Sequence, residues 1–256
     1  MNLLHLIKNL LSLQKKIDNK ILPSQGLFYK DDFEISIKKA DVKDVIEYEF
    51  NYVKDDVGIV ISKIKNMVES NIKLSNGYTF SDIKSIDIVF IFLEIVKFTK
   101  GKSIDLRYFD DERGREDIIE FNSEHFNYFI IDDRIMQNYI TSEKIFSIDG
   151  YRFSLPSIGV ENCLTNFLIE KSYEPDAIRF NNYNYDFTYF LGDKKTISFD
   201  EIDNLIQIFN FDIESSDLKK VRRIVETFSA IQKYSLKRGN RVIEINSKID
   251  LEKIWK

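Results

Sequence analysis

Few side chains in this 256-residue sequence have the types and spacing that acid–base or nucleophilic catalysis requires. No serine lies in a G-x-S-x-G pattern that could use either of the two histidines, His5 and His125. Cys163 is the single cysteine, so neither an internal disulfide nor a cysteine-based zinc site is expected, and the lack of a basic neighbour favours an inert thiol. The sequence therefore predicts no catalytic residues and no enzymatic activity.

Acidic residues are concentrated between positions 110 and 117, where a calcium loop is the first interpretation to test. An EF-hand loop has Gly at its sixth position, but counting from Asp110 places Gly114 fifth and Arg115 sixth. The segment is more typical of a solvated hairpin tip, and the chain has no Walker or G-x-G-x-x-G pattern for a nucleotide. We expect no metal and no cofactor.

Two stretches have the pattern of binding surfaces. In the first, Tyr183, Tyr185, Phe187 and Tyr189 alternate with polar residues, so a strand here has one wholly aromatic face. Such a face packs as sheet core, contacts another subunit, or stacks on sugars or bases, and these alternatives stay open at this point.

The second stretch is a basic segment over 217–241, with eight basic residues against two acidic ones and a net charge of +6. Its apolar periodicity predicts a helix from about Ser216 to Lys237, with Arg222 and Arg223 as candidate interface residues. A basic outer face can dock an acidic partner and orient subunits head to tail. A solvated helix balanced by the acidic 198–217 is the other interpretation.

The elements that position these residues begin with an amphipathic helix, predicted for residues 1–20. Five apolar residues recur there at spacings of three and four: Leu3, Leu6, Leu10, Leu13 and Ile17. Polar residues interrupt the run and no small-residue cleavage site follows, so a signal peptide is not expected. No apolar run reaches the roughly 18 residues of a membrane span.

A strand, several helices and a hairpin are predicted for 21–131. Pro23 and Gly26 indicate a turn before a strand, Asp41 is placed to cap a helix, and Gly101 is placed to end a long apolar helix that begins at Ile83. Two alternating runs on either side of Gly114 predict a β-hairpin.

The second region, 132–256, is predicted to contain the aromatic strand, a helix over 199–209, the basic helix and a short strand over 242–245. Helices and strands are grouped rather than strictly alternated, which predicts an α+β fold of short N-terminal strands and hairpins packed with several amphipathic helices. The five-residue patterns LPSQG at 22–26 and LPSIG at 155–159 raise the hypothesis of a duplicated turn.

The net charge of −5 and the pI near 5.3 disfavour a nucleic-acid backbone or an anionic membrane as partner. With a single cysteine, a reducing cytoplasm is the expected compartment.

Four segments resemble a family of T4-like phage baseplate hub proteins. They are ILPSQGLFYKDDFEISIKKADVKDVIEYEF from Ile21, IVISKIKNMVESNIK from Ile59, DIVFIFLEIVKFTKGKSIDL from Asp87, and GYRFSLPS from Gly150. In that family an LPS-x-G turn precedes a strand and a helix, and a long apolar helix runs from an Asp to a Ser/Thr-x-Gly and a strand. The resemblance covers 21–129 well and little of the chain beyond.

The resemblance implies a hub subunit or hub-assembly factor of a contractile tail, which binds other baseplate hub and tail proteins in the host cytoplasm during assembly. Retention in the virion tail baseplate and homo-oligomer formation are left open, and no membrane or nucleic-acid partner is expected. The expected interface comprises the turn at Pro23 and Gly26 with the rings of Phe28 and Tyr29, together with the aromatic strand and the basic helix.

A binding module for glycans or single-stranded nucleic acid is the alternative function. It depends on the three tyrosines of the aromatic strand, Tyr183, Tyr185 and Tyr189, as stacking platforms.

Overall fold

The computed structural model describes residues 14–50, 57–110, 113–123, 131, 133–148, 150–170, 194, 196–207, 215–217, 219–220, 223, 234–238, 241–245, 251 and 254–255. The predicted aromatic strand and the first thirteen residues lie outside this part of the chain.

An antiparallel three-stranded sheet joins the N-terminal region to the segment after the second helix. Its strands are β1 (Gln14–Ile17), β2 (Ile35–Lys38) and β3 (Ile72–Leu74), in the order β1-β2-β3. Residues alternate between the two faces of a strand, and the buried side chains of Ile17, Ile35 and Ile37 point into the core.

The predicted N-terminal helix is wrong for residues 14–17, because this segment is the strand β1. The three-to-four spacing that ends at Ile17 fits a helix, but pairing with β2 places Ile17 opposite Ile35 and buries both side chains. Tertiary burial therefore overrides the local pattern here.

Of the three helices in this region, two have the start or end that the sequence predicts. Helix α1 (Val42–Phe50) begins after Asp41, whose carboxylate accepts a hydrogen bond of 2.9 Å from the backbone N–H of Asp44. Helix α2 (Val57–Asn71) precedes β3, and the buried helix α3 (Ile88–Lys100) ends at Gly101, which has a left-handed φ of 65°. These observations confirm the cap predicted at Asp41 and the helix end predicted at Gly101.

The start predicted for α3 at Ile83 is five residues too early. The 3₁₀ turns Phe80–Asp82 and Ser85–Asp87 precede the helix, and between them Lys84 forms an isolated antiparallel bridge with Ser157. Apolar periodicity cannot detect this bridge, because its partner lies more than 70 residues away in the sequence.

The predicted hairpin is confirmed. Strands β4 (Asp105–Asp110) and β5 (Arg115–Glu120) pair antiparallel, with Asp105 opposite Glu120 and Phe109 opposite Glu116. The inward side chains of Leu106 and Tyr108 are buried.

The second half of the described chain begins with the short helix α4 (Asp133–Met136) and an antiparallel sheet of β6 (Tyr139–Ile140), β7 (Ile145–Ile148) and β8 (Tyr151–Phe153). Helices α5 (Ile158–Glu170) and α6 (Phe199–Gln207) follow, and the hairpin of β9 (Tyr234–Arg238) and β10 (Arg241–Ile245) lies near the C-terminus.

The basic helix predicted to reach Lys237 is wrong from Tyr234 onward. The described residues between 215 and 223 are helical, whereas Tyr234–Arg238 is a strand paired with Arg241–Ile245. Gly239 and Asn240 separate the two runs, and a two-residue Gly-containing connection favours a hairpin over a continuing helix.

The structure has the predicted α+β class, and its main core crosses the predicted boundary between 131 and 132. Buried side chains of the three-stranded sheet, of α2 and of α3 form one cluster that also includes Ile158 and Ile254. A second cluster packs Phe28 and Ile86 against Phe146, Phe153 and Leu155. Contacts from both predicted regions therefore build both cores.

Candidate functional site

A buried carboxylate ties the LPSQG segment to the start of α3. Asp87 Oδ1 accepts a hydrogen bond of 2.8 Å from the backbone N–H of Ser24, and Asp87 Oδ2 accepts one of 2.6 Å from the hydroxyl of Tyr29. Between these two anchors the chain turns sharply, with positive φ at both Gln25 and Gly26. Asp87 thus holds both ends of the turn.

Lys84 connects the same site to the second LPS-x-G segment. Its backbone N–H donates to the Tyr29 hydroxyl at 2.8 Å, and its buried ammonium donates to the carbonyl of Leu155 at 2.9 Å and to Ser154 Oγ at 3.2 Å. We call Ser24, Tyr29, Lys84 and Asp87 the clasp. Through Lys84, the clasp joins the two segments that share the LPS-x-G pattern.

The two LPS-x-G segments bind the same short stretch but have different conformations. The carbonyl of Pro156 accepts from the N–H of Ser85 at 3.1 Å, and the N–H of Ile158 donates to the carbonyl of Ile83 at 2.8 Å. Gly26 has a φ of 70° in a turn, whereas Gly159 lies within helix α5. The shared letters therefore do not correspond to a duplicated turn.

Burial dominates the electrostatics of the clasp. Burial raises the pKa of Asp87 from its ordinary 3.8 to about 6, against the hydrogen bonds from Tyr29 and Ser24 and the charge of Lys84, which lower it. Burial and the adjacent Asp87 raise the pKa of the Tyr29 hydroxyl well above 10.0. Near neutral pH the tyrosine is therefore the donor and the carboxylate the acceptor.

A cleft of about 260 Å³ opens beside the clasp. Stacked rings of Tyr29 and Phe33, with centroids 4.1 Å apart, and the edge-on ring of Tyr78 form part of its wall. Its charged lining consists of four lysines and three acidic residues: Lys30, Lys84, Lys144, Lys194, Asp32, Asp82 and Glu143.

Several of these charged groups bind other side chains of the same chain. Lys144 forms an ion pair of 2.7 Å with Asp31, and the Tyr78 hydroxyl donates to Asp32 at 2.5 Å. Apolar rings among charges of both signs suit a polypeptide segment with mixed side chains better than a small ion of one charge.

The described residues offer no metal centre, and of the thiol and the two imidazoles in the sequence they include only the thiol. No group of three or more His, Cys, Asp or Glu side chains in the described ranges is arranged to hold a metal ion. Cys163, on α5, is half-buried, and His5 and His125 lie outside the described residues.

The structure places the predicted interface residues of the LPSQG region mostly inside the protein. Pro23, Phe28 and Tyr29 are buried, and the ring of Phe28 packs on Phe146 with centroids 5.7 Å apart. Gly26 is half-buried. These side chains therefore build the local framework.

A partner that binds this region would contact the accessible residues next to the buried ones. Gln25 and Leu27 are half-buried and Lys30 is exposed. Lys30 also lines the cleft, so a partner that contacts the turn can reach the cleft as well.

The remaining predicted interface residues are only partly covered by the described chain. Tyr183, Tyr185, Tyr189 and Arg222 lie outside the described residues, and Arg223 is helical and exposed. The alternative function that depends on the three tyrosines stays a prediction.

The sequence did not identify Lys84 and Asp87 as site residues, because both lie in the apolar run that was predicted to form one long helix. The available signal was their charge, since ionisable residues within an apolar run are rarely buried without partners. Their partners, Tyr29 and Leu155, are more than 50 residues away on either side and could not be identified from the run itself.

Comparisons with known proteins identify no relative of this chain. No family model matches the chain, and neither the curated proteins nor the solved structures contain a significant match. Within the described ranges, every helix is too short or too polar to cross a bilayer.

Proposed function

We propose that this chain is a structural or assembly protein of the central hub of a contractile phage tail baseplate. In this proposal it acts through protein–protein contacts and not as an enzyme. Its partners are other baseplate hub and tail proteins, which it meets in the host cytoplasm during assembly.

The observation that carries the proposal is the convergence of three resembling segments at the clasp. Ser24 and Tyr29 belong to the segment from Ile21, Asp87 begins the segment with the long apolar helix, and Leu155 belongs to GYRFSLPS. Segments separated by more than 50 residues thus depend on one another for their buried hydrogen bonds. This interdependence supports a structural role for the residues on which the resemblance rests, since they hold distant segments of the chain together.

The chemistry of the cleft supports binding over catalysis. A general acid or base acts through a side chain that can reach the substrate, whereas the Asp87 carboxylate is buried and already accepts two hydrogen bonds. Lys84 is also buried and binds the backbone at Leu155. Both groups hold the walls of the cleft in place, as a docking site for a partner segment requires.

Co-purification tests the proposal. The tagged full-length chain is co-expressed in turn with the hub and tail proteins encoded near its gene, and stable complexes are identified by mass spectrometry. We expect at least one hub protein to co-purify in a defined stoichiometry. Failure to bind any of them, or a gene location far from any tail genes, would overturn the proposal.

A matched pair of variants locates the contact. Lys30→Glu reverses an exposed charge in the cleft, and Lys38→Glu reverses an exposed charge on β2 outside the cleft lining. We expect the first variant to weaken the complex at least about tenfold and the second to leave it unchanged. Mass spectrometry of purified virions then decides whether the protein is retained in the finished tail.

A further inference from the structure

A tight turn forms part of the wall of the cleft beside the clasp. The turn runs from Ser75 to Tyr78 and is closed by a hydrogen bond of 3.2 Å from the Tyr78 N–H to the Ser75 carbonyl. Its two central residues, Asn76 and Gly77, are exposed and line the cleft. Asn76 is the only asparagine in the sequence that is followed by glycine. The fold therefore places this dipeptide, which occurs once in the chain, at the cleft.

An asparagine followed by glycine has the groups for an intramolecular reaction, and asparagine is among the thermolabile residues of proteins. A bond between the side-chain carbonyl carbon of Asn76 and the backbone nitrogen of Gly77 closes a five-membered imide ring. In most sequences the side chain of the following residue obstructs this approach. Gly77 has no side chain, and a Cβ built on it would meet nothing within 4 Å. No distant part of the chain therefore crowds this side of the glycine.

The conformation of the turn keeps the asparagine amide accessible. Gly77 has a φ of 88°, the left-handed value that the third residue of a type II turn requires. The side chain of Asn76 is exposed, so it can rotate until its carbonyl carbon faces the nitrogen of Gly77. Asn66 is also exposed, but it lies within helix α2 and precedes Met67, whose backbone N–H is bound inside the helix. Exposure is thus shared by the two asparagines, whereas the reactive arrangement belongs to Asn76.

We propose that Asn76 is a site of spontaneous modification, at which the side-chain amide is lost and a new carboxylate enters the cleft. The nitrogen of Gly77 attacks the side-chain carbonyl carbon of Asn76 and forms a C–N bond. The amide nitrogen leaves as ammonia and carries away the proton of the Gly77 N–H. Water then opens the imide at either carbonyl, which gives aspartate or isoaspartate. Water is the one co-reactant, and no atom is oxidised or reduced.

Either product changes the charge of the cleft. The lining contains four lysines and three acidic residues, so one further carboxylate makes the two signs equal in number. Because complementary charge controls specificity, the modified cleft would accept different partner segments from the unmodified one. That consequence rests on the proposed function, whereas the modification itself needs no partner.

The isoaspartate product also lengthens the backbone of the turn. Its main chain runs through the former side chain, which inserts one CH₂ group between two anchored residues. Ser75 is held by Glu34 through hydrogen bonds of 3.1 and 3.0 Å. Tyr78 donates to Asp32 at 2.5 Å, and its ring packs edge-on against Phe33. Because both ends of the turn are fixed, the longer backbone displaces the ring of Tyr78 from the cleft wall.

Incubation of the purified full-length chain at neutral pH and physiological temperature tests the reaction. Peptides that contain Asn76 and Asn66 are quantified by mass spectrometry over time, and electron-transfer fragmentation distinguishes isoaspartate from aspartate. We expect Asn76 to lose its amide at least about tenfold faster than Asn66, which is the internal control. Both aspartate and isoaspartate should form at Asn76, because water opens the imide at either carbonyl.

Two variants test the roles of the two residues. Gly77→Ala places a methyl group beside the attacking nitrogen, so we expect loss of the Asn76 amide to slow at least about tenfold. Asn76→Gln keeps an amide but would have to close a six-membered ring, so it should stay unmodified over the same period. Circular dichroism shows whether each variant is folded, and Asn76→Gln keeps the test valid if Gly77→Ala is not.

Asn76→Asp separates the added charge from the longer backbone. This variant has the new carboxylate but an ordinary main chain. We expect incubated wild-type protein that contains isoaspartate to melt at a lower temperature than Asn76→Asp, because only isoaspartate lengthens the turn between Ser75 and Tyr78.

Equal rates of amide loss at Asn76 and Asn66 would overturn the proposal, and so would equal rates at Asn76 in the wild type and in folded Gly77→Ala. Equal melting temperatures of isoaspartate-containing protein and Asn76→Asp would overturn the effect on the turn. The measurements use the isolated chain, so they distinguish failure of this proposal from failure of the hub proposal, which requires complexes with other proteins.

Discussion

Tyr29 donates a hydrogen bond of 2.6 Å to the carboxylate of Asp87, 58 positions later in the chain, at a site where both side chains are buried. The same hydroxyl accepts the backbone N–H of Lys84 at 2.8 Å. One phenol oxygen therefore holds the LPSQG segment to the stretch that leads into α3.

Removing this hydroxyl should destabilise the protein. Tyr29→Phe leaves the buried Asp87 carboxylate and the N–H of Lys84 each with one hydrogen bond fewer. A buried polar group that loses its partner costs about 1–3 kcal/mol, so we expect the free energy of unfolding in urea to fall by that amount.

Tyr78→Phe is the control for this prediction. The Tyr78 hydroxyl donates to Asp32 at an exposed site, where water can replace it, so we expect a loss below about 1 kcal/mol. Equal losses in the two variants would show that burial of the clasp has no effect on its contribution.

The buried Asp87 should make stability depend on pH between about 4 and about 6. Its pKa is about 6 in the folded protein against an ordinary 3.8, so protonation favours the folded state. The stability contributed by this group is fully present below pH 3.8 and is lost as the pH rises through about 6.

Asp87→Asn isolates this dependence, because the amide does not titrate. We expect the difference in unfolding free energy between wild type and variant to change with pH from about 4 to about 6 and to be constant at higher pH. Urea unfolding at a series of pH values measures it, and a difference that stays flat throughout contradicts the prediction.

Two adjacent lysines of β1 should contribute unequally to stability. Lys15 forms an ion pair of 2.5 Å with Glu94, whose side chain is only 1% exposed. Lys15→Met leaves this buried carboxylate without its cation. Because the lysine itself is 41% exposed, the cost is smaller than for a fully buried pair, and we expect the free energy of unfolding to fall by about 1–3 kcal/mol.

Lys16→Met is the matched control on the same strand. Lys16 pairs with Glu34 at the same distance of 2.5 Å, but both side chains are exposed, so the expected loss is below about 1 kcal/mol. Thermal or urea unfolding compares the two variants, and an equal effect would contradict a role for the burial of Glu94.

The turn of the LPSQG segment should not tolerate a side chain at Gly26. Its φ is 70°, and a Cβ at this position would lie 3.2 Å from the backbone and side chain of Asn19. A left-handed conformation costs an L-residue about 1–2 kcal/mol, and the contact with Asn19 adds to that cost in Gly26→Ala.

Gly77→Ala separates the two causes. Gly77 has a φ of 88°, but a Cβ there meets nothing within 4 Å, so this variant carries the conformational cost alone. We expect Gly26→Ala to lower the melting temperature further than Gly77→Ala. The reverse order would show that the turn adjusts freely around Asn19.

Helix ends and hairpins could be predicted from the amino-acid sequence where the residues that specify them lie within or next to the element. Asp41 caps α1 because an acidic side chain can accept the free N–H groups of the first turn, and Gly101 ends α3 because it adopts a left-handed φ without a steric penalty. The alternation on either side of Gly114 likewise specifies the hairpin β4–β5, since both strands and the turn lie within sixteen residues.

The errors occurred where a distant partner determines the local conformation. Residues 14–17 have helical spacing but pair with β2, and Tyr234–Arg238 continues a helical pattern but pairs with Arg241–Ile245. In each case the paired strand satisfies backbone hydrogen bonds that a helix would otherwise satisfy within the segment.

The candidate site shows the same division. The amino-acid sequence alone indicates the α+β class, the turn at Pro23 and Gly26, and the scarcity of catalytic side chains. Composition and short-range spacing carry this information. Folding alone brings Asp87, Lys84 and Tyr29 into one buried cluster, since each of them needs partners far along the chain to compensate for lost hydration. Hydrogen bonds between distant residues have no periodicity in a sequence, and for that reason the clasp becomes visible only in three dimensions.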